Sequence, residues 1–185
     1  MPRCPWCGDD PIYVQYHDTE WGVPVLDDRS LFEKLILDGF QAGLSWITIL
    51  KKRDNFIRAF DGFQPDLIAN YNEEKIHSLM GDAGIVRNQL KIRATVTNAQ
   101  AYLKITKENS FSDFLWSFVG GEPIINHLKS EVDYVATSRE SDEMSKALKE
   151  LGFKFVGSTI CYAFMQAVGM VNDHIVECPR WKELQ

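Results

Sequence analysis

Cys4 and His17 stand at one end of this 185-residue chain, and His174 and Cys178 stand at the other. If all four bind one ion, the two termini are stapled together, and every fold that keeps them apart is excluded. Two imidazoles and two thiolates suit tetrahedral Zn²⁺, and four protein ligands leave no open position, so such a metal is structural. His174 and Cys178 are spaced i, i+4, which places both on one face of a helical turn. Other readings stand beside this one. Cys4-Pro5-Trp6-Cys7 has the form of a redox pair, although no strand of the βαβ kind precedes it. Cys7 also rivals Cys4 or His17 as a ligand, and all of these thiols suit ordinary burial. Cys161 lies in an apolar helical run and reads as core. A closed staple leaves the chemistry elsewhere, with Asp38 to Trp46 as the best segment, and loss of Cys178 is expected to lower stability while sparing the pocket.

Length allows one domain over residues 1–185, or one large lobe and one small, with a core that needs no disulfides. No apolar run reaches membrane-spanning length and the first residues hold no signal-like stretch. A reduced, cytoplasmic chain, without a membrane partner and monomeric, is the expectation. The net charge of −6 excludes the broad basic surface of a tight non-specific DNA binder. Any nucleic-acid contact must come from a local patch. The visible basic clusters, Lys51-Lys52-Arg53 and Arg87 to Arg93, read first as solvated helix faces.

The periodicity is helical almost throughout, and the class is all-α. Ser30-Leu31-Phe32-Glu33 has the form of a capping box, with Asp27 or Asp28 as alternative caps. Ser45 to Phe60 reads as one basic amphipathic segment. Ile92, Val96, Ala99 and Leu103 form a single helix face, as do Met144, Leu148 and Leu151, and then Ile160, Phe164, Ala167 and Val168. Between the last two helices lies Gly152-Phe153-Lys154-Phe155-Val156-Gly157. Such a short turn leaves N–H groups free at the start of the second helix, where they can hold a phosphate without net positive charge. A plain helical hairpin with Gly152 as its C-cap is the alternative.

Leu37-Asp38-Gly39-Phe40-Gln41-Ala42-Gly43-Leu44-Ser45-Trp46 decides between them. With Asp10-Pro11, Tyr13, Tyr16-His17-Asp18, Glu20-Trp21-Gly22, the Gly152–Gly157 hairpin, Trp116-Ser117-Phe118 and Asn172-Asp173-His174, it closely resembles the 3-methyladenine DNA glycosylase I family. The resemblance runs from Cys4 to Cys178. It implies a helix-hairpin-helix glycosylase that excises 3-methyladenine from alkylated double-stranded DNA and releases the free base. It implies structural zinc at Cys4, His17, His174 and Cys178. It further implies that Trp46 stacks on the base, that Tyr16 contacts it, and that Trp6, Tyr13 and Trp21 shape the pocket. Asp38 takes the place of the family's acidic recognition residue and is the catalytic candidate. Gly43 and Leu44 enter the duplex, while Gly152, Gly157, Ser158 and Thr159 meet the backbone. Family members often carry Glu where this chain has Asp38, and a polar or small residue where it has Phe40.

The chemistry suits these residues. A base cannot be cleaved inside the stack, so it must be flipped into a pocket. An N3-methylated adenine still joined to its sugar is cationic, and aromatic faces and a carboxylate attract it. Asp173 neighbours a proposed ligand and reads as structural rather than catalytic. No Lys stands where a lyase would place a Schiff-base nucleophile, which implies a monofunctional enzyme leaving an abasic site. The rival functions are a damage- or abasic-site-binding protein with weak or no catalysis, and a zinc-stapled interaction module.

Overall fold

The computed structural model describes residues 2–185. Helix α1 spans Pro11–Thr19, α2 Asp28–Gln41, α3 Trp46–Leu50, α4 Arg53–Ala59, α5 Pro65–Ile68 and α6 Glu73–Gly81. Then come α7 Gln89–Ile105, α8 Phe111–Trp116, α9 Arg139–Glu150, α10 Ser158–Ala167 and α11 Pro179–Glu183. None of the described helices is long and apolar enough to cross a membrane. Two departures from an all-helical reading are small: β1, Ile124–Ile125, pairs in parallel with β2, Val171–Asn172. Two-residue strands are too short to show alternation in sequence.

Helix α2 is the axis of the fold. Leu31, Phe32, Leu35, Ile36, Leu37, Gly39 and Phe40 are all buried, together with the polar Lys34 and Asp38. A helix buried nearly all round must be packed on several sides, and α2 meets α3, α7, α8 and α10. The expected Ser30 capping box is not formed. Asp27 is the cap, accepting from the Ser30 amide at 2.8 Å and the Ser30 hydroxyl at 2.7 Å, which uses up the side chain a box would need. Asp28 accepts from the amides of Phe111 and Ser112 and so ties the start of α8 to the start of α2.

The expected basic segment from Ser45 to Phe60 is two helices, α3 and α4, broken at Lys51-Lys52. On α7, Ile92 and Ala99 are fully buried while Val96 and Leu103 are only partly so, and Thr95 and Asn98 are buried beside them. On α9, Met144 and Leu148 are fully buried whereas Leu151 stays exposed. One apolar core runs from Cys4 near the start to Cys178 near the end.

Candidate functional site: an aromatic pocket backed by a Cys2His2 cluster

A cavity of about 260 Å³ opens between α1, α2, α3 and α10. Trp6, Tyr13, Tyr16, Trp21, Asp38 and Trp46 line it, so the folding brings every expected base-binding residue to one place. The Asp10 cap fixes the start of α1, which carries Tyr13, Tyr16 and His17. Trp6 packs edge-on against Tyr13 at 5.0 Å and Trp21 at 4.8 Å, and Trp46 lies 5.5 Å from Tyr16. Four further polar residues line the wall: Gln41, one turn after Asp38 on α2, and Glu131, Tyr134 and Gln166, which no sequence signal marked. The last three come from elements whose approach only the tertiary fold determines.

The wall holds unspent hydrogen-bonding capacity. The buried atoms without a partner among the described residues are Asp38 Oδ2, Trp6 Nε1, Trp46 Nε1, Tyr134 Oη and Arg180 Nε. Asp38, Trp6 and Trp46 line the pocket, whereas the hydroxyl of Tyr134, also a lining residue, is turned to the Cys4 thiol. Buried polar atoms are almost always paired, so a cluster of exceptions in one cavity marks a place shaped for a polar ligand. Asp38 is 2% exposed. Burial drives its carboxyl up to about 7, and attraction by Lys34 only partly offsets this. Lys34 sits one turn earlier on α2, 5.0 Å from the Tyr16 ring centre, and pairs with Glu20 at 3.3 Å. Arg53 in turn bonds Glu20 and Glu33, so the pocket floor rests on a satisfied ionic network. Phe40 plays no part in the cavity: it packs away from it, on Phe56 and Phe60.

Behind the pocket, the ligand atoms of Cys4, His17, His174 and Cys178 all lie within 4.8 Å of one another and all four residues are buried. Cys4 Sγ is 3.4 Å from His174 Nδ1, and Cys178 Sγ is 3.6 Å from His17 Nε2 and 3.7 Å from His174 Nδ1. With Zn–S near 2.3 Å and Zn–N near 2.05 Å, the sulfur–nitrogen edge of a tetrahedron is roughly 3.5 Å. The spacing therefore fits one ion. The other imidazole nitrogens are engaged as ligation requires: His17 Nδ1 donates to Asp18 at 2.8 Å and His174 Nε2 to the Trp21 carbonyl at 3.1 Å. Burial holds the Cys4 thiol up at about 12 and pulls His174 down to about 4, which is the environment of groups that need a cation to hold thiolate charge. Cys7 is outside the cluster and donates to the Cys4 carbonyl at 3.2 Å.

Two sequence expectations about this cluster need correction. His174 and Cys178 do not share a helical turn: the segment between them is an irregular turn, and α11 starts only at Pro179. Cys178 comes round because its amide bonds the Ile175 carbonyl at 2.8 Å. Nor is the cluster remote from the pocket. Trp6 packs on His17 at 5.4 Å and Trp21 on His174 at 4.6 Å, so the cluster is the pocket's rear wall. Asp173 accepts from Asn126, Tyr162 and Gln166, which occupies it structurally.

The two expected DNA-contacting turns are neighbours. Gly43, with φ +80°, takes the turn after α2 that a side chain would strain, and leaves Leu44 42% exposed. Gly152, with φ +99°, ends α9, and Gly157 is the N-cap of α10. The first α10 bond runs from the Cys161 amide to Gly157, so the amides of Ser158, Thr159 and Ile160 have no partner within the helix. The Ser158 hydroxyl is not free, since it donates to Asp142. Asn98 on α7 pins the hairpin by accepting from the Lys154 amide at 2.7 Å and donating to the Lys154 carbonyl at 3.0 Å.

Lys91 joins the two turns, and it is the one basic residue of Arg87 to Arg93 that does not lie on a solvated face. Lys91 is buried; its Nζ donates to the Phe40 carbonyl at 2.8 Å and the Ala42 carbonyl at 2.6 Å, and lies over the Phe155 ring. A cation at the last carbonyls of α2 satisfies them and opposes the helix dipole. Lys91→Met keeps the stem and removes the donors. It is expected to cost roughly 1.5–3 kcal/mol of stability in urea denaturation; a loss below about 0.5 kcal/mol would place Lys91 among ordinary surface residues.

Comparison with known proteins agrees with this geometry. A family described as methyladenine glycosylase matches residues 6–181. The chain belongs to the methyladenine glycosylase family. It is 50% identical over 179 residues to DNA-3-methyladenine glycosylase 1 of Escherichia coli (strain K12), covering 96% of each chain. A crystal structure of a 3-methyladenine DNA glycosylase I superposes with a TM-score of 0.95 at 51% identity, covering 96% of this chain and 98% of that one. The Y16F variant of such an enzyme, solved in complex with 3-methyladenine, superposes with a TM-score of 0.93 at 38% identity over 97% of both chains.

Proposed function

We propose that this methyladenine glycosylase family member is a monofunctional 3-methyladenine DNA glycosylase. The observation that carries the reading is the aromatic pocket whose wall holds a buried carboxylate and several unpartnered polar atoms. The α9–α10 hairpin and the Gly43-Leu44 turn meet double-stranded DNA. Leu44 fills the gap that the flipped nucleotide leaves, and the apolar contact offsets lost stacking. The free amides at the start of α10 donate hydrogen bonds to a phosphate.

In the pocket, Trp46 and Tyr16 stack on the cationic base while Trp6, Tyr13 and Trp21 close around it. Asp38 accepts a hydrogen bond from an adenine N–H, directly or through one water, and balances the positive charge. The C1′–N9 bond then breaks with its electron pair going to the base, which leaves neutral. Water adds its oxygen to C1′ and gives up a proton, and an abasic site remains. Much of the rate comes from flipping and holding a base that is already a good leaving group. No lysine stands where a lyase would place its nucleophile: Lys154 lies inside the hairpin turn, and Gly157-Ser158-Thr159 follow.

Cys4, His17, His174 and Cys178 would hold one Zn²⁺ with no open position. That ion supplies a cross-link between the termini and a rigid rear wall for the pocket, and no part of the bond cleavage. The deciding experiment incubates the protein with methylated duplex DNA. Free 3-methyladenine should appear, with strand breaks only after alkaline treatment. Tight binding to abasic duplex without base release would instead favour a damage-binding protein.

A further inference from the structure

Val132 is 90% exposed and Val135 54% exposed, although Glu131 and Tyr134 beside them line the pocket. Residues Glu131–Asp133 form a single 3-10 turn. With three residues per turn, Glu131 and Tyr134 fall on one side, and both line the cavity. Val132 is thereby turned outward, and Val135 follows just past the pocket-lining tyrosine. The turn is rigid: Asp133 accepts from the amides of Lys129 at 2.8 Å and Ser130 at 2.9 Å, and a capping box closes it.

The other rim of the same cavity is built alike. Gln41 and Trp46 point in, and between them Leu44 points out, 42% exposed. Two rims thus flank one opening, each presenting an apolar side chain to solvent. We infer that the 131–135 turn is a second duplex-contacting rim, whose Val132 and Val135 pack on sugars and base edges beside the flipped nucleotide, across the opening from Leu44. The inference rests on the glycosylase reading. A nucleotide that reaches this cavity leaves its neighbours in the strand lying over both rims. The contact is with sugars and bases rather than phosphates, because no Lys or Arg stands between Ser130 and Ser138, and Glu131 and Asp133 would repel phosphate. Apolar wedges of this kind are a recurrent means of holding a kinked duplex open.

The test is a Val132→Ser, Val135→Ser double variant of the full chain. Its affinity is measured for a duplex carrying a tetrahydrofuran abasic analogue over a range of salt, and for free 3-methyladenine. The abasic duplex should bind about tenfold more weakly, with the salt slope and the free-base affinity unchanged. Val132→Leu, which keeps the apolar surface, should bind as the wild type does. An unchanged affinity of the double variant for the abasic duplex overturns the inference. So does a changed salt slope, which would mean that the rim acts on phosphates. Wild-type protein that releases no 3-methyladenine from methylated duplex defeats the glycosylase reading itself. Dissociation of a wild-type dimer in the double variant, with DNA affinity unchanged, assigns the ridge to a second copy of the chain and also overturns the inference.

Discussion

Cys178→Ser should strip the metal, lower the melting temperature by roughly 10 °C and weaken free-base binding as well. The first two effects follow from linkage: an ion that binds only the folded chain stabilises it in proportion to the logarithm of its affinity. A thousandfold loss of metal affinity corresponds to about 4 kcal/mol. For a chain of this size, each 1 kcal/mol shifts the midpoint by about 2–4 °C. The third effect comes from packing. Trp6 and Trp21 lean on His17 and His174, so a relaxed cluster frees two walls of the pocket. Metal content by spectroscopy, thermal melting and tryptophan fluorescence on adding 3-methyladenine measure the three effects. A stoichiometric ion retained after both Cys4 and Cys178 are replaced would exclude this ligand set. Unchanged base affinity in a metal-free, folded variant would show that the rear wall holds by itself.

Asp38→Asn should act in opposite directions on binding and stability. Removing a charged hydrogen bond typically costs about 1.5–3 kcal/mol, or roughly ten- to a hundredfold in affinity for the base. Stability should move the other way. The carboxyl is raised to about 7 from an ordinary value of 3.8, so the folded chain binds the proton more tightly than the unfolded chain does. Stability is then highest below the unfolded value and is lost as pH rises from about 4 to about 7. Above that window the ionised Asp38 costs the fold of order a few kcal/mol, which Asn avoids. Urea denaturation at pH 8 should therefore find the variant more stable, with the gain vanishing near pH 4. Base excision by the wild type should rise with pH through about 7 as the free enzyme's Asp38 ionises, and the variant should lack that rise. Unchanged excision and base affinity in Asp38→Asn would remove the carboxyl from recognition, leaving Tyr16 and Trp46 to select by shape and stacking. Asp38→Glu adds one methylene towards a cavity that Phe40 does not line, so it should bind the base as well as the wild type or better.

Much of the site could be read from the chain because its residues carry their chemistry in their type. Thiols and imidazoles at opposite ends of one chain have few reasons to be so placed, and the density of Trp and Tyr before residue 50 marks an aromatic enclosure. Local signals were less secure wherever two residues competed for one role. Asp27 outcompetes Ser30 as the α2 cap because its carboxylate takes both the amide and the hydroxyl of Ser30. The His174–Cys178 spacing suits a helix, yet Pro179 starts one only after the pair, and an irregular turn brings both side chains into the cluster.

The residue pattern by itself determined the helical class, which depends on composition and on periods of a few residues. The resemblance to the family singled out the four residues of the Cys2His2 cluster and the six side chains that line the pocket. The tertiary structure alone decided what stands next to what. Lys91 looks like a surface cation and is buried at the carbonyl end of α2, because α7 crosses that helix fifty residues away in sequence. Tyr134 and Glu131 reach the pocket because the pairing of β1 with β2 draws their loop alongside His174. The Cys2His2 cluster and the aromatic pocket, which the chain presents as separate features, share a wall because Trp6 and Trp21 have an imidazole on one side and the cavity on the other. Burial and close packing are properties of surfaces that meet from distant parts of the chain, and no local pattern of residues encodes which surfaces those will be.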